Sequence, residues 1–186
     1  MNTNLLLELI DTSYQNARNK GFFSNNQPDE AYVAAIHDEL SEAFREWNKR
    51  DNWYTESVDK LTGVYVELTD AVIRLMSYCG YKGISLKKVE FETDRPYIKD
   101  DICDMILKSH QSLAQYYELL DKEARDEFEA KLIDNCIKKL LSAFVARIEL
   151  FIYETSNGKY NLPDLILTKL AYNKLRSGVR HGGNKV

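Results

Sequence analysis

At 186 residues the chain is long enough for one domain with a substantial core. Its 25 basic and 29 acidic residues leave a net charge of −4 and a pI near 5.5, a balance that argues against a general binder of nucleic-acid polymers. Three well-separated cysteines (Cys79, Cys103, Cys136) without a CxxC pair fit a reduced, cytoplasmic protein. No apolar run reaches membrane-spanning length, so no membrane partner is expected. Met1 to Lys20 carries Glu8 and Asp11 but no basic stretch ahead of its apolar residues, unlike a signal peptide. Few glycines (8) and prolines (3), together with long helical periodicities, predict an all-α protein.

The first predicted helix covers residues 2–20, with Leu5, Leu6, Leu9, Ile10, Tyr14 and Ala17 as its apolar stripe. Gly21 stops it, and residues 21–28 form a loop whose adjacent Phe22 and Phe23 are expected to fold over the core rather than to offer a stacking platform. Pro28 stands near the first turn of a second helix, 29–50. There Val33, Ile36, Leu40, Ala43, Phe44 and Trp47 define the buried face, Glu39 and Glu46 fall at its edge, and Glu42 lies further round.

A third helix is predicted at about 55–79. From Val64 to Cys79 it is apolar around most of its circumference, the mark of a helix covered on several sides. Its charged residues Glu67, Asp70 and Arg74 share one stripe with Gly63. Burying acids costs roughly several kcal/mol per uncompensated ion, so this stripe must meet a cation, an arginine or water. Glu39 with Glu42, and Glu67 with Asp70, each place two carboxylates on one helical face. The stretch between the pairs is long enough to end one helix and run another back beside it. Four carboxylates converging in this way repel one another unless a divalent cation sits among them.

Gly80 and Gly83 are expected to end the third helix, with Ser85 capping a short turn to Val89, and residues 90–100 read as irregular around Pro96. Two helices at about 101–120 and 123–156 form a helical hairpin. The second carries Phe128, Leu132, Cys136, Leu140, Phe144, Ile148 and Ile152 at helical spacing, and the mixed charges of the pair suit packing or oligomer contact. After Asn157-Gly158 a last helix covers about 163–177, in which Lys169, Tyr172 or Asn173, Arg176 and Arg180 recur every three or four residues. It continues into a basic, glycine-rich tail whose donors suit phosphate oxygens.

Four ordered blocks, Gly21-Phe22-Phe23, IHDELSEA at 36–43, ELTDAVIRL at 67–75 followed by Cys79-Gly80, and KLAYNKLRSGVRHGG at 169–183, resemble the motifs of the MazG-like all-α nucleoside triphosphate pyrophosphatase superfamily. The likeness covers roughly 1–90 and 160–186. It implies a single MazG-like domain, 1–186, in which a helical bundle core is interrupted before the last helix by an inserted hairpin at about 100–156. It further implies a homodimer or homotetramer that uses Mg²⁺, or Mn²⁺ in its place, to cleave a nucleotide substrate between the α and β phosphates, giving a monophosphate and pyrophosphate. Carried over by position, Glu39, Glu42, Glu67 and Asp70 match the metal ligands, with Glu39 or Glu42 as the residue that activates water. Lys169, Tyr172, Asn173, Arg176, Arg180 and His181 match the substrate segment. The chain departs from the pattern at Asp38, where the widest motif has Glu, and at Phe23, where Trp is common.

Two other readings compete with this one. One keeps the fold and changes the substrate to dUTP, dCTP or a phosphoribosyl-nucleotide; the other is a non-catalytic helical oligomerisation or interaction module. A di-iron carboxylate bundle is disfavoured because neither acid pair is followed by the histidine of Glu-x-x-His, and His37 reads as a satisfied helix-edge residue.

Overall fold

A computed structural model describes residues 1–24, 27–49, 52–56, 61–89 and 95–176, with the backbone alone of Arg176. The described residues are all-α apart from one minimal pair of antiparallel strands: helices α1 (Thr3–Asn19), α2 (Asp29–Asn48), α3 (Val64–Lys82), α4 (Ile102–Leu120), α5 (Glu127–Thr155) and α6 (Leu162–Arg176), with strands β1 (Thr55–Glu56) and β2 (Leu61–Thr62) ahead of α3. No described helix is long and apolar enough to cross a membrane.

The third helix is the axis of the bundle. Leu68, Ala71, Val72, Leu75, Met76 and Cys79 are wholly enclosed, because α1, α2, α5 and α6 all pack on α3. The hairpin of α4 and α5 closes on α2 through α4 and on α3 through α5. Polar pairs fix its seat: Tyr116 OH donates to Tyr78 OH at 2.9 Å, Tyr65 OH and Thr155 Oγ1 lie 3.0 Å apart, and the His37 and His110 Nδ1 atoms meet at 2.6 Å across α2 and α4. His37 is therefore satisfied at a helix edge and stands apart from the acids.

Three boundaries differ from those expected. The third helix begins at Val64 rather than 55, because Thr55–Glu56 and Leu61–Thr62 pair as antiparallel strands with Thr55 opposite Thr62. Gly63, at φ +119°, cannot continue a helix, and a Cβ there would lie 2.8 Å from the Trp53 carbonyl. The free N–H groups of Val64 and Tyr65 are taken up instead by the carbonyls of Asn52 and Trp53, both at 3.0 Å. Glu46 holds this loop in place: it is buried, accepts from Lys49 Nζ at 2.5 Å and accepts from the Asn52 side chain. It is a structural acid.

At the other end, Gly80 does not stop α3, which runs on to a left-handed cap at Gly83 (φ +69°). Gly80 serves the crossing with α1, since a Cβ on it would lie 2.6 Å from Tyr14 Cβ. Residues 84–89 form no turn of helix. Leu86 is buried, and the Lys87 N–H donates to Ser142 Oγ, tying the segment to α5. The stripe of α5 is also used unevenly: Phe144, Ile148 and Ile152 are core, whereas Phe128 and Leu132 are exposed beyond the reach of the bundle.

Gly80→Ala is expected to lower stability by about 1–3 kcal/mol, the usual cost of overpacking a helix crossing. Urea unfolding of the two proteins measures it, and the helical circular-dichroism signal should persist.

Candidate active site

Four helices and one turn surround a cavity of about 310 Å³. Helix α1 contributes Ser13, Asn16, Ala17 and Lys20, which recur at i, i+3, i+4 and i+7 and so share one face. The turn after α1 adds Phe22 and Phe23. Tyr32, Ala35 and Glu39 come from α2; Asp70, Ile73, Arg74, Ser77 and Tyr78 from α3; Lys169 and Asn173 from α6. One region of the wall is thus charged and another aromatic.

Two of the four expected metal-ligand candidates, Glu39 and Asp70, line the charged region, and Glu67 stands beside them. Glu39, Glu67 and Asp70 each present a carboxylate oxygen within 4.8 Å of the others. Glu39 reaches the group from the edge of the apolar face of α2, while Glu67 and Asp70 sit one turn apart on α3, facing it. Two cations compensate them. Arg74 Nε donates to Glu39 at 2.5 Å, and Lys169 Nζ pairs with Asp70 at 2.6 Å. Glu67 has no such pair among the described residues.

The protonation equilibria reflect this imbalance. Burial, reinforced by the charge of Asp70, pushes the Glu67 carboxyl up to about 7 despite the nearby Lys169. Glu39 and Asp70 are also shifted upward by burial, with Arg74 opposing the shift at Glu39 and Lys169 opposing it at Asp70. Among the described residues, three crowded carboxylates face two cations, which leaves one negative charge in excess. Hard oxygen donors in this number suit a divalent ion that shares its remaining ligands with substrate and water.

Glu42 is placed differently. Its carboxylate turns to Arg45 at 3.2 Å and lies outside the close group, although its charge still raises the pKa values of Glu39, Glu67 and Asp70. Asp38 is more exposed and shares the same Arg45 at 3.7 Å. On α6, Lys169 and Asn173 line the cavity. Tyr172, half-buried, is not among the lining residues, so of the two alternatives at that step of the stripe the cavity takes Asn173. Arg180, His181 and the Arg176 side chain lie outside the described residues.

The two phenylalanines of the loop part company. Phe23 packs into an aromatic cluster, stacked on Tyr81 at 4.7 Å and tilted against Tyr14 and Tyr32, as expected of a core cover. Phe22 is 54% exposed, lines the cavity and has no ring partner among the described residues. Sequence reasoning missed Ser13, Asn16, Tyr32 and Tyr78 as wall residues. The signal for the first two was the polar i, i+3, i+7 series Ser13, Asn16, Lys20 interrupting the inner side of α1.

Comparison of the chain with protein-family models, with curated proteins and with solved structures gives no match.

The raised Glu67 pKa fixes the sign of a stability effect. Between the ordinary carboxylate value and about 7 the folded chain holds a proton that the unfolded chain has released, so stability contributed by this group falls as pH rises through that interval. Glu67→Gln should therefore melt at a temperature closer to that of the parent at pH 5 and progressively above it by pH 8. Thermal unfolding across that range tests this, with Mg²⁺ at pH 8 expected to raise the melting temperature of the parent and not that of the variant.

Proposed function

We propose that the protein is an Mg²⁺-dependent nucleotide pyrophosphohydrolase of the MazG-like kind, converting a nucleoside or deoxynucleoside triphosphate to its monophosphate and pyrophosphate. The observation that carries the proposal is the three-carboxylate group of Glu39, Glu67 and Asp70 at a cavity that also has an aromatic wall. A phosphate chain and a base need those two environments side by side.

Glu39, Glu67 and Asp70 would hold the cation, and Mn²⁺ would serve in place of Mg²⁺. When bound, the ion supplies Lewis-acid polarisation of the phosphate and lowers the pKa of water. The protein's own groups do the rest. Lys169 and Arg74, already at the cluster, offset charge on the phosphates as it moves toward the leaving pyrophosphate. Arg74 also holds the Glu39 carboxylate in one orientation. Glu42, outside the three-carboxylate group and half-exposed, is the carboxylate proposed to orient the attacking water, a task that the Arg74 clamp makes less accessible to Glu39. Asn173 faces the cavity from α6, where it meets the sugar or the phosphate chain.

With Mg²⁺ and a panel of ribo- and deoxyribonucleoside triphosphates, the parent is expected to release pyrophosphate and monophosphate. Glu39→Gln and Glu67→Gln should each lower that rate at least about 100-fold, the scale of losing a group that stabilises transition-state charge, with unchanged circular dichroism. Release at the parental rate by both variants would remove the carboxylate group from the mechanism.

A further inference from the structure

We propose that Ser13 and Tyr32 determine base specificity, their hydroxyls hydrogen-bonding the polar edge of a nucleobase that lies against Phe22. The inference rests on the nucleotide reading of the cavity and assigns the part of it remote from the carboxylates.

Ser13 has no exposed surface and its Oγ has no hydrogen-bond partner among the described residues. Other buried serines of the described helices behave otherwise: Ser77, Ser109 and Ser112 donate to the carbonyl four residues back, and Ser142 accepts from the Lys87 N–H. A buried helical serine has that backbone acceptor within reach by default, so Ser13 is held away from it. The Tyr32 hydroxyl is likewise enclosed and has no hydrogen-bond partner among the described residues. The Gln27 N–H lies near enough to favour its ionised form but makes no hydrogen bond of standard geometry, and burial shifts its pKa upward on balance.

Both residues line the same cavity from opposite helices, α1 and α2. Leaving a buried hydroxyl unsatisfied costs roughly 1–3 kcal/mol, a cost that a ligand would relieve. Each hydroxyl can donate and accept, the combination that the ring-nitrogen and exocyclic groups of a base require. Asn16, one turn beyond Ser13 and on the same wall, adds an amide with both functions. The apolar surfaces for the ring faces are there as well: Phe22, Phe23 and Tyr78 line the cavity, and Phe22 is free of ring partners among the described residues. At about 310 Å³ the cavity is near the lower end of the usual range for small-molecule sites, so the base and its hydroxyl partners are brought close together.

The test is calorimetric binding to the Mg²⁺-loaded full chain of the four α,β-imido deoxynucleoside triphosphates and of inorganic tripolyphosphate, which has no base. The parent should rank the four bases. Ser13→Ala and Tyr32→Phe should each weaken the preferred analogue about tenfold, as for one lost buried hydrogen bond, flatten the ranking and leave tripolyphosphate binding unchanged. Tyr32→Phe keeps the ring and so carries the test if Ser13→Ala does not fold. The proposal is overturned if the parent binds all four analogues alike, or if its ranking survives in the folded variants. Base-dependent binding without hydrolysis of the natural triphosphates would support Ser13 and Tyr32 while removing the hydrolase reading. Absence of binding by every analogue and by tripolyphosphate would overturn both.

Discussion

The repulsion among Glu39, Glu67 and Asp70 is the constraint on which the rest of the structure turns. Helix α3 is buried on several sides, and its only acids sit where they cannot be hydrated freely. Every element around them contributes to keeping that charge tolerable: Arg74 from the same helix, Lys169 from α6, and a cavity opened by α1 on the remaining side. The compensation is incomplete among the described residues: Glu67 has no paired cation, and burial together with the Asp70 charge pushes its carboxyl up to about 7. A fold selected for stability alone would replace such a group with well-packed apolar residues. Retaining it makes physical sense where the deficit is met by a ligand.

The scaffold positions that charge through devices far from it. Gly63 and the Asn52 and Trp53 carbonyls set where α3 begins, and hence the direction in which Glu67 points one turn later. Glu46 resembles Glu39 in its place on α2, yet its partners Lys49 and Asn52 commit it to anchoring that entry loop. Two acids of similar sequence context thus have different tasks, decided by what the neighbouring helix presents. Gly80 lets α1 approach α3 closely enough for Ser13, Asn16 and Lys20 to form the opposite wall.

Much of this was legible in the sequence, and the exceptions have physical causes. The circumferential apolarity of 64–79 announced a central helix, and the stripe of Glu67, Asp70 and Arg74 announced a charged site on it. Glu39 was placed correctly at the edge of a buried face, and the cationic stripe read on the last helix included Lys169, which pairs with Asp70. Spacing already put Glu42 further round α2 than Glu39, but not its pairing with Arg45, which competes for it at the surface. The pairing of Thr55–Glu56 with Leu61–Thr62 was hidden by its length of two residues per strand, too short for any periodicity. The unpartnered state of the Ser13 and Tyr32 hydroxyls among the described residues was illegible for another reason: it is a property of three-dimensional surroundings, and no pattern along one helix carries it.

The account is tested most directly by anomalous diffraction from crystals grown with Mn²⁺. It predicts a peak bounded by the carboxylates of Glu39, Glu67 and Asp70, lost in Glu67→Gln crystals. Full Mn²⁺ occupancy elsewhere with none at these three carboxylates, or an undiminished peak in the variant, would contradict it.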